Sequence, residues 1–75
     1  MTRDEVANTI QQFLDGTGGK WDWDDFCSFE IADPMLDAIR ERCISVHDEF
    51  PAKEGYCDER GTQVLRELVE RLRKP

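Results

Sequence analysis

Apolar side chains recur along this chain at helical intervals. Val6, Ile10, Phe13 and Leu14 fall at i, i+4, i+7 and i+8, one stripe of an amphipathic helix. Thr2 and Glu5 stand before them at capping-box spacing, and Gly16, Gly18 and Gly19 follow, suited to a left-handed helix stop. The pattern predicts a helix over 3–14. A second stripe runs through Leu36, Ile39, Cys43 and Val46, widened by Met35 and Ile44, with Asp37, Arg40, Glu41 and Asp48 on the opposite face. Asp33-Pro34 supplies an N-cap with proline at the first helical position, and Phe50-Pro51 ends the element, so a helix is expected over 34–47.

The cleanest stripe is the last: Val64, Leu65, Leu68, Val69 and Leu72. Asp58 is placed to cap this helix. Glu67 with Arg71 and Glu70 with Lys74 have the spacing of i,i+4 ion pairs, and Arg71, Arg73 and Lys74 suit a helix C-terminus. Gly61 weakens the first turn by up to about 1 kcal/mol, and its missing side chain would admit a neighbouring backbone.

Between the first two stripes lies Trp21-Asp22-Trp23-Asp24-Asp25-Phe26, aromatic rings interleaved with carboxylates. With Asp22 as N-cap, Asp24 and Asp25 occupy the first turn, where the helix dipole favours them, and Trp21 and Phe26 take the two positions of a hydrophobic staple. A strand would leave neither face apolar. A short helix around residues 22–28 is therefore expected, with Trp21 and Phe26 in the core and Trp23 partly exposed. Ser28 to Ala32 reads as an extended connector carrying Phe29 and Ile31 inward, and Ala52 to Cys57 as a loop, with Phe50 and Tyr56 folding back onto the helices. The fold expected is all-α: one domain, 1–75, a small bundle of three amphipathic helices plus the short one.

Seventy-five residues are near the lower limit for a self-sufficient core, so each large apolar side chain should be used. The formal net charge is −7, and it is uneven: residues 21–59 hold twelve carboxylates against three bases, a net −9, whereas 60–75 carry +3. This balance argues against nucleic acid or an anionic membrane as partner and suits a basic protein. No apolar run approaches the roughly 18 residues of a membrane span, and no leader pattern precedes the first stripe. Three widely spaced cysteines make no secreted disulfide framework. A reducing cytoplasm is the expected compartment.

Chemistry finds little support. Gly18-Gly19-Lys20 follows a helix and lacks the Walker spacing. Asp22 and Asp24 match the first two ligand positions of a calcium loop, but Phe26 and Cys27 stand where a ligand and a glycine belong. Cys43 lies in an apolar stripe, which keeps a thiol protonated, and His47 is the chain's single histidine. No catalytic residues and no cofactor are expected. A Cys3His zinc site from Cys27, Cys43, His47 and Cys57 is an alternative, although it lacks the close Cys-x2-4-Cys pair of most structural zinc sites.

Binding remains. Tryptophan and tyrosine are favoured at interface hot spots, and here they lie in the acidic segment. The expected function is a protein-interaction module whose contact surface includes Trp23, Asp24 and Asp25. An immunity-type protein that neutralises a basic toxin is one concrete form of it, and a homodimer built on the stripe 64–72 is a further alternative. The hexapeptide together with Asp33-Pro34-x-Leu36-Asp37-x-Ile39-Arg40-x-Arg42-Cys43, Phe50-Pro51, Tyr56-Cys57 and Val64-Leu65-Arg66-Glu67-Leu68 resembles a group of short, uncharacterised bacterial proteins with the same order of motifs. That resemblance covers residues 21–72. It implies no activity, no cofactor and no site residues.

Overall fold

Helix boundaries in the computed structural model follow local capping chemistry. The structure describes residues 1–19 and 22–74. Helix α1 spans Arg3–Asp15. Its start is a complete capping box: Glu5 N–H donates to Thr2 Oγ1 at 3.1 Å, and Thr2 N–H donates to Glu5 Oε1 at 2.9 Å. It stops where Gly16 turns left-handed at φ 71°, a conformation that costs glycine nothing.

Helix α2 spans Asp22–Ser28, α3 Pro34–Glu49 and α4 Glu59–Arg73. Asp33 caps α3 by accepting from the amides of Met35 (2.9 Å) and Leu36 (3.3 Å). The helix runs two residues past the expected end, because only Phe50, the residue before Pro51, is barred from helical geometry. Asp58 caps α4 through the amides of Arg60 and Gly61. Among the described residues there is no strand. The fold is a small all-α bundle with a radius of gyration of 11.5 Å, close to the roughly 11 Å of a compact chain this long.

The strongest stripe makes the largest interface. Leu65, Leu68, Val69 and Leu72 of α4 are buried with Val6, Ala7 and Ile10 of α1, and α4 packs more extensively on α1 than on α3. Arg3, at the start of α1, donates to the carbonyls of Arg71 and Lys74 at the end of α4, so the two helices run in opposite directions and the orphan carbonyls of α4 gain a donor. Four positions of the stripe expected to hold a homodimer, Leu65, Leu68, Val69 and Leu72, are buried within the chain itself, while Val64 stays only partly covered.

Four local expectations are corrected. Arg40, placed on the polar face, is only 7% exposed. Met35 does not widen the buried stripe of α3 but stands outside it, 47% exposed. Gly61 does admit a close approach, though of side chains: a Cβ there would sit 2.7 Å from Cys57 Cβ and 2.8 Å from Val46 Cγ1. Among the described residues the ion pairs are Arg40–Asp37, Arg42–Glu49 and Arg60–Asp58, and neither expected pair along α4 forms.

Candidate interaction surface

The turn into α2 is closed by Asp22 in both directions. Its carboxylate accepts the Gly19 amide at 2.8 Å, and its own amide donates to Gly19 O at 3.2 Å. Asp22 thus belongs to the helix and holds the preceding loop, rather than standing ahead of it and capping the amides that follow. A Cβ on Gly19 would meet that carboxylate at 3.0 Å, so the tight turn explains the glycine. The proposed staple between Trp21 and Phe26 involves a residue outside those described. Phe26 itself is buried.

Trp23 was expected to be partly exposed and is buried instead. It is 9% exposed. Its indole stacks on Phe13 of α1 with centroids 4.0 Å apart and planes at 14°. Phe26 packs at 5.4 Å, and Tyr56 stands edge-on to both Trp23 and Phe13. The physical reason is the shortage of core material: a seven-residue helix can join the bundle only through a large ring, and Trp23 supplies it. The indole N–H is buried with no hydrogen-bond partner among the described residues. The Tyr56 hydroxyl donates to Cys43 O at 2.9 Å, which folds the 50–58 loop onto α3.

With Trp23 inside, Asp24 and Asp25 remain exposed on the outer face of α2. Asp25 lines a groove of about 410 Å³ together with Asp22, Phe26, Phe29, Glu30 and Ile31. Asp24 lies beside the groove and does not line it. Phe29, expected in the core, is 70% exposed, the most exposed large apolar side chain described. The connector divides at this point. Ile31 is drawn inward, because its amide donates to Asp37 Oδ1 at 3.0 Å, while Phe29 stays outside at the bend that ends α2.

The same Asp37 oxygen accepts from Arg40 Nε at 2.8 Å, and Arg40 Nη1 donates to Cys27 O at 2.7 Å. One buried guanidinium thereby joins the last turn of α2, the connector and α3. The Arg40 hydrogen bond, helped by the Ile31 amide, holds the Asp37 carboxyl below the usual carboxylate range, and Asp37 in turn raises the Arg40 pKa. This clamp sets where Phe29 and Glu30 emerge. Nothing in the periodicity of residues 34–47 distinguished Arg40 from a solvated arginine. The Cys27 carbonyl that draws it inward comes from another element.

The alternative metal set is not assembled. Among the described residues no three His, Cys, Asp or Glu side chains come together as a group that could hold a metal ion. Cys43 is fully buried, and burial pushes its thiol from 9.0 up to about 12. Cys27 is half-buried, with its thiol also raised by burial. Cys57 Sγ lies 3.8 Å from Thr62 Oγ1. His47 uses Nδ1 against Tyr56 O at 2.6 Å, with its ring over the tyrosine at 4.9 Å. These residues have structural occupations, and an inert buried thiol suits neither a ligand nor a nucleophile.

No described helix is long and apolar enough to cross a membrane. Comparison with protein-family models, with curated proteins and with solved structures finds no match to this chain.

Proposed function

We propose that this protein is a non-enzymatic interaction module of a reducing, cytoplasmic compartment, and that its acidic groove takes a basic segment of a partner protein. The observation that carries the reading is Phe29, 70% exposed in an open groove that Asp25 and Glu30 also line. A protein of this size has few large rings to spend outside its core. An exposed aromatic anchor rimmed by one sign of charge suits a partner of the opposite sign, with the charge steering encounter and the ring adding contact area. A net charge of −7 works in the same direction. An immunity-type protein that blocks a basic toxin is the most concrete version of this reading. Three free cysteines fit a reducing compartment.

The reading replaces the contact set Trp23, Asp24 and Asp25 with Asp25, Phe29 and Glu30, because the ring at the surface is Phe29. Affinity capture with the wild-type chain, with Phe29→Ala and with Asp25→Lys/Glu30→Lys tests it, once each variant is shown to fold. The expected result is a basic protein retained by wild type in a salt-sensitive manner and lost from both variants. Equal retention by folded variants would remove the groove from the interface.

A further inference from the structure

We propose a second docking surface, a groove between α3 and α4 that accepts an acidic amphipathic helix. It shares no residue with the acidic groove and encloses about 610 Å³. Its floor is Met35, Ala38, Ile39, Val64, Leu68 and Leu72. It lies between two helices that pack less extensively on each other than α4 packs on α1.

Three features specify the occupant. The first is shape: the groove runs from Met35 to Arg42 on one wall and from Val64 to Leu72 on the other, each about 10–12 Å at the helical rise. That matches the span from i to i+7 of a helix laid between them. The second is the mode of recognition. Strand addition needs a sheet edge, and no strand occurs among the described residues. Polyproline docking needs an aromatic-lined cleft, and no aromatic side chain lines this one. An apolar helix face entering an apolar groove is the mode that fits, and the flexible, 47% exposed Met35 can adapt to it.

The third is charge. Arg3, Arg42 and Arg71 edge the groove against the single carboxylate of Glu67, the reverse of the chain's overall balance. Arg42 shares its charge with Glu49 at 2.6 Å, whereas the hydrogen bonds of Arg3 go to neutral carbonyls. A helix with carboxylates flanking its apolar stripe complements this rim, and one flanked by lysines opposes it.

The test uses the full chain, isotope-labelled for NMR, and two synthetic amphipathic helical peptides with one leucine stripe, flanked by glutamates in one and by lysines in the other. The glutamate peptide should produce saturable shifts at Met35, Ala38, Ile39 and Val64. The lysine peptide should bind more weakly by about ten-fold, the effect of roughly three exposed ion pairs. The variant Arg42→Glu/Arg71→Glu, checked for folding by its thermal melt, should invert the preference. The Arg3 contact to Arg71 survives, since it uses the main chain. Absence of saturable shifts in the groove overturns the proposal, as does equal binding of the two peptides to wild type. Shifts at the same residues on diluting the free protein would assign the groove to a second copy, and likewise overturn it. Because Phe29 and Glu30 lie elsewhere, failure here leaves the acidic-groove reading intact.

Discussion

Phe13 of α1 and Trp23 of α2 lie ring upon ring, 4.0 Å between centroids. This contact, with the Tyr56 edge against both rings, ties the short helix to the bundle. Trp23→Ala should cost about 3–5 kcal/mol, the usual range for removing a buried large ring. A domain of this kind has about 5–15 kcal/mol in all. Urea denaturation should therefore show a chain near its unfolding threshold, with Trp23→Phe retaining much more. A midpoint close to wild type for Trp23→Ala would mean that the stack contributes little.

Gly61→Ala sets helix propensity against packing. Alanine in a helix interior gains about 1 kcal/mol over glycine. Here its Cβ would stand 2.8 Å from both Cys57 Sγ and Val46 Cγ1, and overpacking of a tight core costs about 1–3 kcal/mol. The expected sign is net destabilisation, smaller when Val46→Ala has already made room. Additive effects in that double-mutant cycle would show that the two sites do not press on each other.

Asp37→Ala should free the Ile31 amide and leave Arg40 without its carboxylate. Hydrogen exchange at Ile31 should rise and the melting temperature fall, with Asp37→Asn intermediate, since an amide oxygen can still accept. Unchanged protection at Ile31 would place the control of the connector elsewhere. By contrast, Phe29→Ala should leave stability within about 0.5 kcal/mol of wild type, because Phe29 contributes surface rather than core.

The pH dependence has a definite sign at each end. The carboxyls of Glu5, Asp37 and Asp58 are held low, chiefly by hydrogen bonds from Thr2, Arg40 and Arg60 respectively. Groups depressed in the folded state stabilise it above their unfolded values of about 4 and lose that effect as acid protonates them. Cys43 is raised by burial from 9.0 to about 12, and burial also raises Tyr56. Their contributions are complete below the unfolded values and fade as the pH climbs past 9. Unfolding midpoints should form a plateau between about pH 5 and 8 and fall on both sides. A midpoint still rising above pH 9 would contradict the buried state of Cys43.

Much of the fold was legible because its boundaries are local. Thr2, Asp33 and Asp58 each satisfy amides two or three residues away, so the signals lie in adjacent letters. The buried positions of α4 follow its stripe for the same reason. The candidate site was less legible. Trp23, Phe29 and Arg40 are sorted by partners ten or more residues away or by the course of a connector, and periodicity carries no information about either. Trp23 sits in the first turn of a helix, where exposure is common, and Phe13 turns it inward. Phe29 and Ile31 would share a face in an extended segment, but the Asp37 hydrogen bond captures only Ile31.

The three thiols are sealed to different depths, Cys43 completely and the other two partly. Alkylation of the folded chain should thus divide into fast labelling of Cys27 and Cys57 and a slow phase for Cys43 that waits for the bundle to open. The slow phase makes Cys43 a built-in gauge of how often the whole molecule breathes, readable without any engineered probe.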